Sequence, residues 1–269
     1  MKVLTEKIEA ITTHAGGTWG IVLEDLDTKE TWKMNEHALI YAASVIKLPI
    51  MIAVFHASHH DEITLSDKVM LKREAIVGGA GVLQHMTPGT QFTIYDLVTL
   101  MIIQSDNTAT NMLIDLIGAK KIQQIMVDIG MEKSKFFHKM MTVSVDRVGA
   151  NEISAFEVYS LLRKLVTGQI ISIHACEQMI LIMKKQQINH TLPSQLPEQH
   201  EGLIGELKRW EIAHKTGYIP GFRHDVGIFY VGKRKLIASI LSMGLDDIKS
   251  LEQFGNIGLE IYRYLENES

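Results

Sequence analysis

Three short clusters of reactive side chains stand in order along the 269-residue chain: Ser44-Val45-Ile46-Lys47, Ser105-Asp106-Asn107 and Lys215-Thr216-Gly217. Ser44 and Lys47 are three residues apart at the start of a helix-like run, a spacing that puts both side chains on one face of its first turn. A serine hydroxyl is a weak nucleophile until a base takes its proton. An ammonium cannot do so, and Lys47 must therefore be neutral when it acts, well below the usual lysine pKa of about 10.4. Burial and a second cation nearby both push that way, and Lys215 is the candidate for the cation. The start of the helix also offers the Ser44 backbone N–H to a developing oxyanion. Each cluster alone is commonplace. As an ordered set, with Ser105 61 residues after Ser44 and Lys215 a further 110 on, they point to acyl transfer through a serine.

Other chemistry-bearing groups carry weaker readings. His56, His59 and His60 end a helix at positions that could ligate a metal, but histidines near a helix C-terminus are also favoured by its dipole, and no metal site is expected. His224-Asp225 are neighbours on a strand, where successive side chains point to opposite faces, so a structural or gating role is expected rather than a relay. His214 either tunes Lys215 or faces the other side of its strand. Gly78-Gly79-Ala80-Gly81 lacks the G-K-[ST] ending of a phosphate loop and reads as a flexible rim of a cleft. Met140-Met141 reads as core or cleft filler. The single cysteine, Cys176, cannot form an internal bridge and reads as an inert buried thiol.

Composition narrows the function class. Apolar residues make up 46% and charged residues 22%, which excludes a disordered chain, and a net charge of −4 gives no footprint for nucleic acid or an anionic membrane. The longest apolar stretch, Leu48 to Phe55, contains Pro49 and falls far short of the roughly 20 residues of a membrane span. The N-terminus, MKVLTEKIEAITTHAGG, has no uninterrupted apolar region of a secretory signal. If Met1 is native the expectation is a cytoplasmic protein; if a leader has been removed, a secreted or periplasmic one. A monomer acting on a small molecule, without a cofactor, is expected.

The elements that must position these residues follow from periodicity. Residues 2–14 read as a helix ending at Gly16-Gly17, and Trp19 to Leu26 and Thr31 to Met34 as two strands. The stretch 44–185 is mostly helical by pattern, with Tyr95 to Gln104 and Ala109 to Ile117 as helices and Ser154-x-x-Glu157 as a capping box. Glu211 to Tyr218, Asp225 to Val231 and Leu236 to Met243 read as strands, and Asp246 to Leu265 as a final helix. Strands at both ends with helices between give an α+β class: one sheet from the two ends, covered by the terminal helices, with an all-helical unit inserted.

The ordered motifs resemble those of the class A β-lactamases, within the penicillin-recognising serine hydrolases. Gly81-Val82-Leu83-Gln84, Pro88-Gly89-Thr90, Asp96-Leu97, Ser105 through Asn111, Gly227-Ile228 and Ile257-Gly258 extend the likeness over about residues 15–265. The resemblance implies a mostly antiparallel five-stranded sheet domain from residues 1–40 and 200–269, a helical domain from 41–199 and an active site between them. It implies Ser44 as the acylated nucleophile, Lys47 as its proton acceptor and Ser105 as relay to the leaving nitrogen, with Lys215 beside it. Thr216 and Lys215 would hold a substrate carboxylate, and Asn107 the substrate amide. Gly217 would line the substrate site, and the N–H groups of Ser44 and Tyr218 would form the oxyanion hole.

One departure bears on turnover. The family's Glu-x-x-Leu-Asn segment, whose glutamate positions the deacylating water, is absent: Glu132, Glu152, Glu157, Glu177, Glu198, Glu201, Glu206 and Glu211 all lack the Leu-Asn that should follow. Asp146 and Glu152 lie in the right region, in a short loop after Lys139-Met140-Met141, without the motif. The arginine common after the third motif is also missing, Val226 preceding Gly227, and only Arg223 could substitute. The expectation is a serine hydrolase that opens β-lactam or related amide bonds through an acyl-Ser44 intermediate with slow deacylation. The alternatives are a D-alanyl peptidase or esterase on the same scaffold, or a penicillin-binding sensor that does not turn over.

Overall fold

Both ends of the chain enter one sheet. The computed structural model describes residues 1–141, 149–199 and 208–267. Strands β1 (Thr18–Asp25) and β2 (Thr31–Met34) from the N-terminal side join β7 (Trp210–Ile219), β8 (Phe222–Val231) and β9 (Arg234–Met243) from the C-terminal side, in the order β2-β1-β9-β8-β7. Every pairing is antiparallel, and β1 closes on β9 with Ile21 opposite Ile240. The turns expected at Pro220-Gly221 and Gly232-Lys233 connect the last three strands, with both glycines at positive φ. β7 lies at one edge, where it can flank a cleft.

Each sheet face is covered by a different set of helices, so strand interiors are buried on both sides and read as long apolar runs. One face packs on α1 (Lys2–Ala15) and α8 (Asp247–Asn267): Trp19, Ile21, Leu23 and Phe229 meet Leu4, Ile8, Phe254, Ile257 and Ile261. From the other face, Val22, Val226, Ile228, Ile237 and Leu241 join the larger helical core. At the middle of that core is α2 (Lys47–His59), with Leu48 through Phe55 all buried. A helix that is apolar all round belongs in an interior. Pro49 falls in its first turn, where the missing N–H would have had no intrahelical partner anyway.

Around α2 lie α3 (Ile94–Ile103), α4 (Asn107–Ile117), α5 (Ala119–Asp128) and α7 (Ile173–Lys184), while α6 (Ala155–Val166) packs on the sheet and α7. α6 is tied to the sheet through Glu24 of β1, which accepts from the Tyr159 hydroxyl at 2.9 Å and the Arg163 Nε at 3.1 Å. Two pairings were not readable from pattern, because each strand is only two or three residues long: β3 (Ile40–Tyr41) with β6 (Glu152–Ile153), and β4 (Lys68–Met70) with β5 (Gln91–Thr93). The expected capping box at α6 is half formed. The Ser154 Oγ accepts the Glu157 N–H at 3.2 Å, but the Glu157 carboxylate turns away to the Lys133 and Ser134 N–H groups, both at 2.8 Å. Cys176 is buried, its thiol against the Ile170 carbonyl at 3.0 Å, and burial raises its pKa. Residue 200, at the edge of the expected domain boundary, and Asp146 lie outside the described residues. Among the described residues no helix is long and apolar enough to cross a membrane.

α8 crosses the short 3-10 turn Leu192–Gln195 so closely at Gly258 that a β-carbon there would fall on the Leu192 carbonyl. Both atoms are backbone, so neither yields cheaply. Gly258→Ala is therefore expected to lower stability by about 1–3 kcal/mol, read as a lower denaturant midpoint at unchanged slope; an unchanged midpoint would show that this approach is not a packing constraint.

Candidate active site

The three motifs meet at the junction of the sheet edge and the helical core. Ser44 sits half-buried in a 3-10 turn, Ala43–Ile46, that leads directly into α2 and therefore to Lys47. This turn packs along β7. Gly217 makes the approach feasible: a β-carbon there would stand 3.2 Å from Val45, 3.3 Å from Ala43 and 3.2 Å from the His224 ring. Tyr218 follows on the strand, its ring 47% exposed and its hydroxyl 2.9 Å from Asp247. Ala43, just before the nucleophile, and Ser105 both have left-handed backbones, at φ 43° and 52°. For residues with a β-carbon that conformation costs about 1–3 kcal/mol each and persists only where surrounding packing enforces it.

Lys47 and Lys215 are both fully buried and converge on one hydroxyl. The Lys47 Nζ lies 3.1 Å from the Ser105 Oγ, 2.6 Å from the Ser105 carbonyl and 2.8 Å from the Asn107 Oδ1. The Lys215 Nζ lies 3.1 Å from the same Ser105 Oγ and 2.9 Å from the Thr216 carbonyl. Burial, then the charge of Lys215, drives the Lys47 pKa well below its ordinary value, with Asp106 opposing. Burial pulls Lys215 down to about 7, with Asp225 opposing. A neutral Lys47 has two N–H groups, and its two shortest contacts are to pure acceptors, the Ser105 carbonyl and the Asn107 amide oxygen. Its lone pair is then free for a hydroxyl proton. Lys215, as an ammonium, donates to Ser105, whose own O–H can then turn to a leaving group. The arrangement can lift a proton from one serine and hand one out through another.

The second motif is fixed by Asp106. Its carboxylate caps α4 by accepting the Ala109 N–H at 2.9 Å, and accepts the Val82 and Leu83 N–H groups at 2.6 and 2.7 Å. Asn107 donates from its amide to the Gly78 carbonyl at 3.1 Å and from its backbone to the Ala80 carbonyl at 3.0 Å. The glycine-rich segment expected as a flexible rim is thus pinned to the motif beside it. Gly81, at φ 99°, allows this, because a β-carbon there would collide with Asp106.

The positioning role of Asn111 was not found from the sequence. Asn111, one turn after Asn107 on α4, clamps the Met140 backbone from both sides, accepting its N–H at 2.8 Å and donating to its carbonyl at 2.9 Å. The run Ser105 to Asn111 held that signal, but its partner is 29 residues away. His224 accepts the Ser242 N–H at Nδ1 and faces the Tyr41 carbonyl with Nε2 at 2.8 Å, so it is a neutral imidazole protonated at Nε2; burial pulls its pKa down to about 4. Asp225 points to the opposite face, onto His214 at 2.8 Å. Arg223, the residue considered for the missing arginine, lies over the Tyr218 ring and donates to Ser250 at 2.6 Å and the Asp247 carbonyl at 3.0 Å. His56, His59 and His60 border a cavity of about 460 Å³ with Asp128 and Lys164. Among the described residues no group of three or more His, Cys, Asp or Glu is placed to hold a metal ion.

Comparison with known proteins identifies the family and the fold. A model of a β-lactamase enzyme family matches residues 3–265. A β-lactamase of Rhodobacter capsulatus is 24% identical over 227 residues, 81% of this chain and 72% of that protein. The crystal structure of a β-lactamase from Sphaerobacter thermophilus superposes with a TM-score of 0.88 at 28% identity, covering 98% of this chain and 97% of that one. The structure of a protein named PBP-A superposes with a TM-score of 0.83 at 27% identity over 99% and 97% of the two chains, and a leucine-to-glutamate variant of it, solved as an acyl-enzyme with penicillin G, matches equally well.

The buried lysines make stability depend on pH. Between about 7, the folded pKa of Lys215, and its unfolded value of about 10.4, the unfolded chain holds a proton that the folded one does not. Raising the pH through that window therefore favours the folded state, by about 1.4 kcal/mol per pH unit for one proton. Lys215→Met removes this term, and its unfolding free energy is expected to climb less steeply than the wild type's between pH 7 and 10; parallel curves would mean that Lys215 is not held at a depressed pKa.

Proposed function

This chain belongs to the β-lactamase enzyme family, and from that membership we propose that it is a serine hydrolase acylated at Ser44 by β-lactams or related amides. The observation that carries the reading is the pair of buried lysines on Ser105, with the Lys47 pKa driven well below its ordinary value and Ser44 one turn before it. As the Ser44 Oγ attacks the amide carbonyl, Lys47 takes its proton. The carbonyl oxygen becomes an oxyanion beside the N–H groups of Ser44 and Tyr218. When the C–N bond breaks, the Ser105 hydroxyl gives its proton to the leaving nitrogen and recovers one from the Lys47 ammonium, which restores the free amine. Thr216 and Lys215 bind the substrate carboxylate, Asn107 its amide, and Gly217 and Tyr218 line the strand edge.

Hydrolysis of the ester needs a water and a base. Among the described residues no carboxylate bonds to Lys47 or Ser105, and the Asp106 oxygens are taken up by three backbone N–H groups. A site lacking that base would lose about 10²–10⁴-fold in rate, and slow deacylation is the reading proposed here. The likeness to PBP-A, of which a variant was solved as an acyl-enzyme with penicillin G, supports a penicillin-binding sensor that does not turn over as the second reading. A D-alanyl peptide or a small ester would use the same machinery, and the ratio of kcat/KM values for these against a lactam separates the substrates.

Intact mass spectrometry with a penicillin is expected to show one adduct on Ser44 that lasts for minutes to hours, none in Ser44→Ala, and acylation slowed about 10²–10⁴-fold in Lys47→Ala. Absence of an adduct in the wild type would refute the substrate class.

A further inference from the structure

Behind the third motif, on the face of β7–β8 turned away from Ser105, lies a closed polar network that the proposed chemistry does not use. His214, 1% exposed, directly precedes Lys215, and Asp225, fully buried, stands opposite Thr216 in the strand register. The His214 Nδ1 is 2.8 Å from the Asp225 Oδ1, and the Asp225 Oδ2 accepts from the Thr191 hydroxyl at 2.5 Å and the Leu192 N–H at 3.2 Å. The His214 Nε2 faces the Asn189 Oδ1 at 3.1 Å, an amide oriented by its donation to the Gln186 carbonyl at 3.1 Å. Gly227 is opposite His214, and a β-carbon there would stand 2.5 Å from that of His214, so the glycine leaves the place for this side chain. Gln186 in turn donates to the His214 carbonyl at 3.2 Å and the Ile102 carbonyl at 3.0 Å, binding β7 to α3.

We propose that Asp225, held in place by His214, Thr191 and Leu192, is a positioning residue for acylation: from the reverse face of the strand pair it keeps Lys215 an ammonium, and Lys215 keeps Lys47 a free amine. A carboxylate with no exposed surface is retained only where its charge is answered, and four donors or charges answer this one. Lys215 has lost its water, and the charge that works in favour of its ammonium is Asp225. The repulsion that Lys215 exerts helps hold Lys47 neutral. The other charged and titratable groups near the network are Arg223, on the same strand face and held by Ser250 and the Asp247 carbonyl, His190, which burial, Arg223 and His214 push towards neutrality while Asp225 opposes, and Lys184, Lys208 and Glu211, which line a pocket with His214 and Asn189. Lys47 and Asp106 stand on the far side, with Lys215 between.

The proposal rests on the Ser44 reading for its role in acylation, but its electrostatic core does not. In Asp225→Asn, the alkaline limb of the pH profile for Ser44 acylation by a penicillin should fall by about one pH unit. The ε-carbon-13 resonance of Lys215, followed by NMR without substrate, should show the same fall from about 7. His214→Gln keeps a donor to Asp225 and should leave the limb in place or raise it. A purely structural network would move both variants alike or neither. An unshifted Lys215 titration in folded Asp225→Asn, or a fall in His214→Gln, overturns the proposal. Should the Asn variant not fold, Asp225→Ser removes the charge without setting an amide against the Leu192 N–H and reads the same shift. If the wild type forms no penicillin adduct, the substrate reading fails while the NMR titration still decides this one.

Discussion

Two lysines that are both without solvent and share one hydroxyl cannot both be ammonium ions at neutral pH without a large energetic cost. Desolvation alone disfavours each charge, and each charge raises the cost of the other. The structure resolves the conflict asymmetrically. Lys47 is surrounded by the Ser105 carbonyl, the Ser105 hydroxyl and Asn107, and faces Lys215. Lys215 feels the charge of Asp225 from the reverse face of the strand pair. On the function proposed here, one amine is free to take a proton and one ammonium orients Ser105. Every other feature of the site serves to keep these groups in place.

The fold achieves this by bringing together segments from distant parts of the chain. Ser44 and Lys47 travel with α2, whose burial on all sides leaves it no freedom to shift. Ser105 is held between α3 and α4 in a left-handed backbone, fixed by the Asp106 cap. Lys215 belongs to the edge strand of a sheet that exists only because the two chain ends pair. The packing of α8 on that sheet is continuous with the electrostatics: Gly258 lets the helix rest on Leu192, and the Leu192 N–H holds Asp225. A stabilising contact and the buried charge of Asp225 thus lie on one chain of neighbours. The two strained backbones at Ala43 and Ser105 mark the places where that stability is spent.

Much of this was legible in the sequence, and what was not has a common cause. The strand positions of the sheet, the terminal helices, and Ser44, Lys47, Ser105 and Lys215 follow from periodicity, residue type and order, because those signals are local. Ser154 followed by Glu157 read as a capping box for the same reason, yet only the serine half forms, since Glu157 finds better donors 23 and 24 residues away. The clamp of Asn111 on Met140, the anchoring of Gly78 and Ala80 by Asn107, and the seating of Asp225 on Thr191 all join residues separated by 27 or more positions. No spacing rule reaches that far. Gly81, Gly217 and Gly258 carry no local signal of their role either, because what each makes room for arrives from elsewhere in the chain.

The account depends on a difference in protonation between two amines, and that difference can be seen directly. Neutron diffraction from deuterated crystals of the wild-type protein near pH 6 would count the deuterons on each Nζ. Two on Lys47, directed at the Ser105 carbonyl and Asn107, with three on Lys215, is the predicted result. Three on Lys47, or a free amine at Lys215 instead, would contradict it and remove the base from the site.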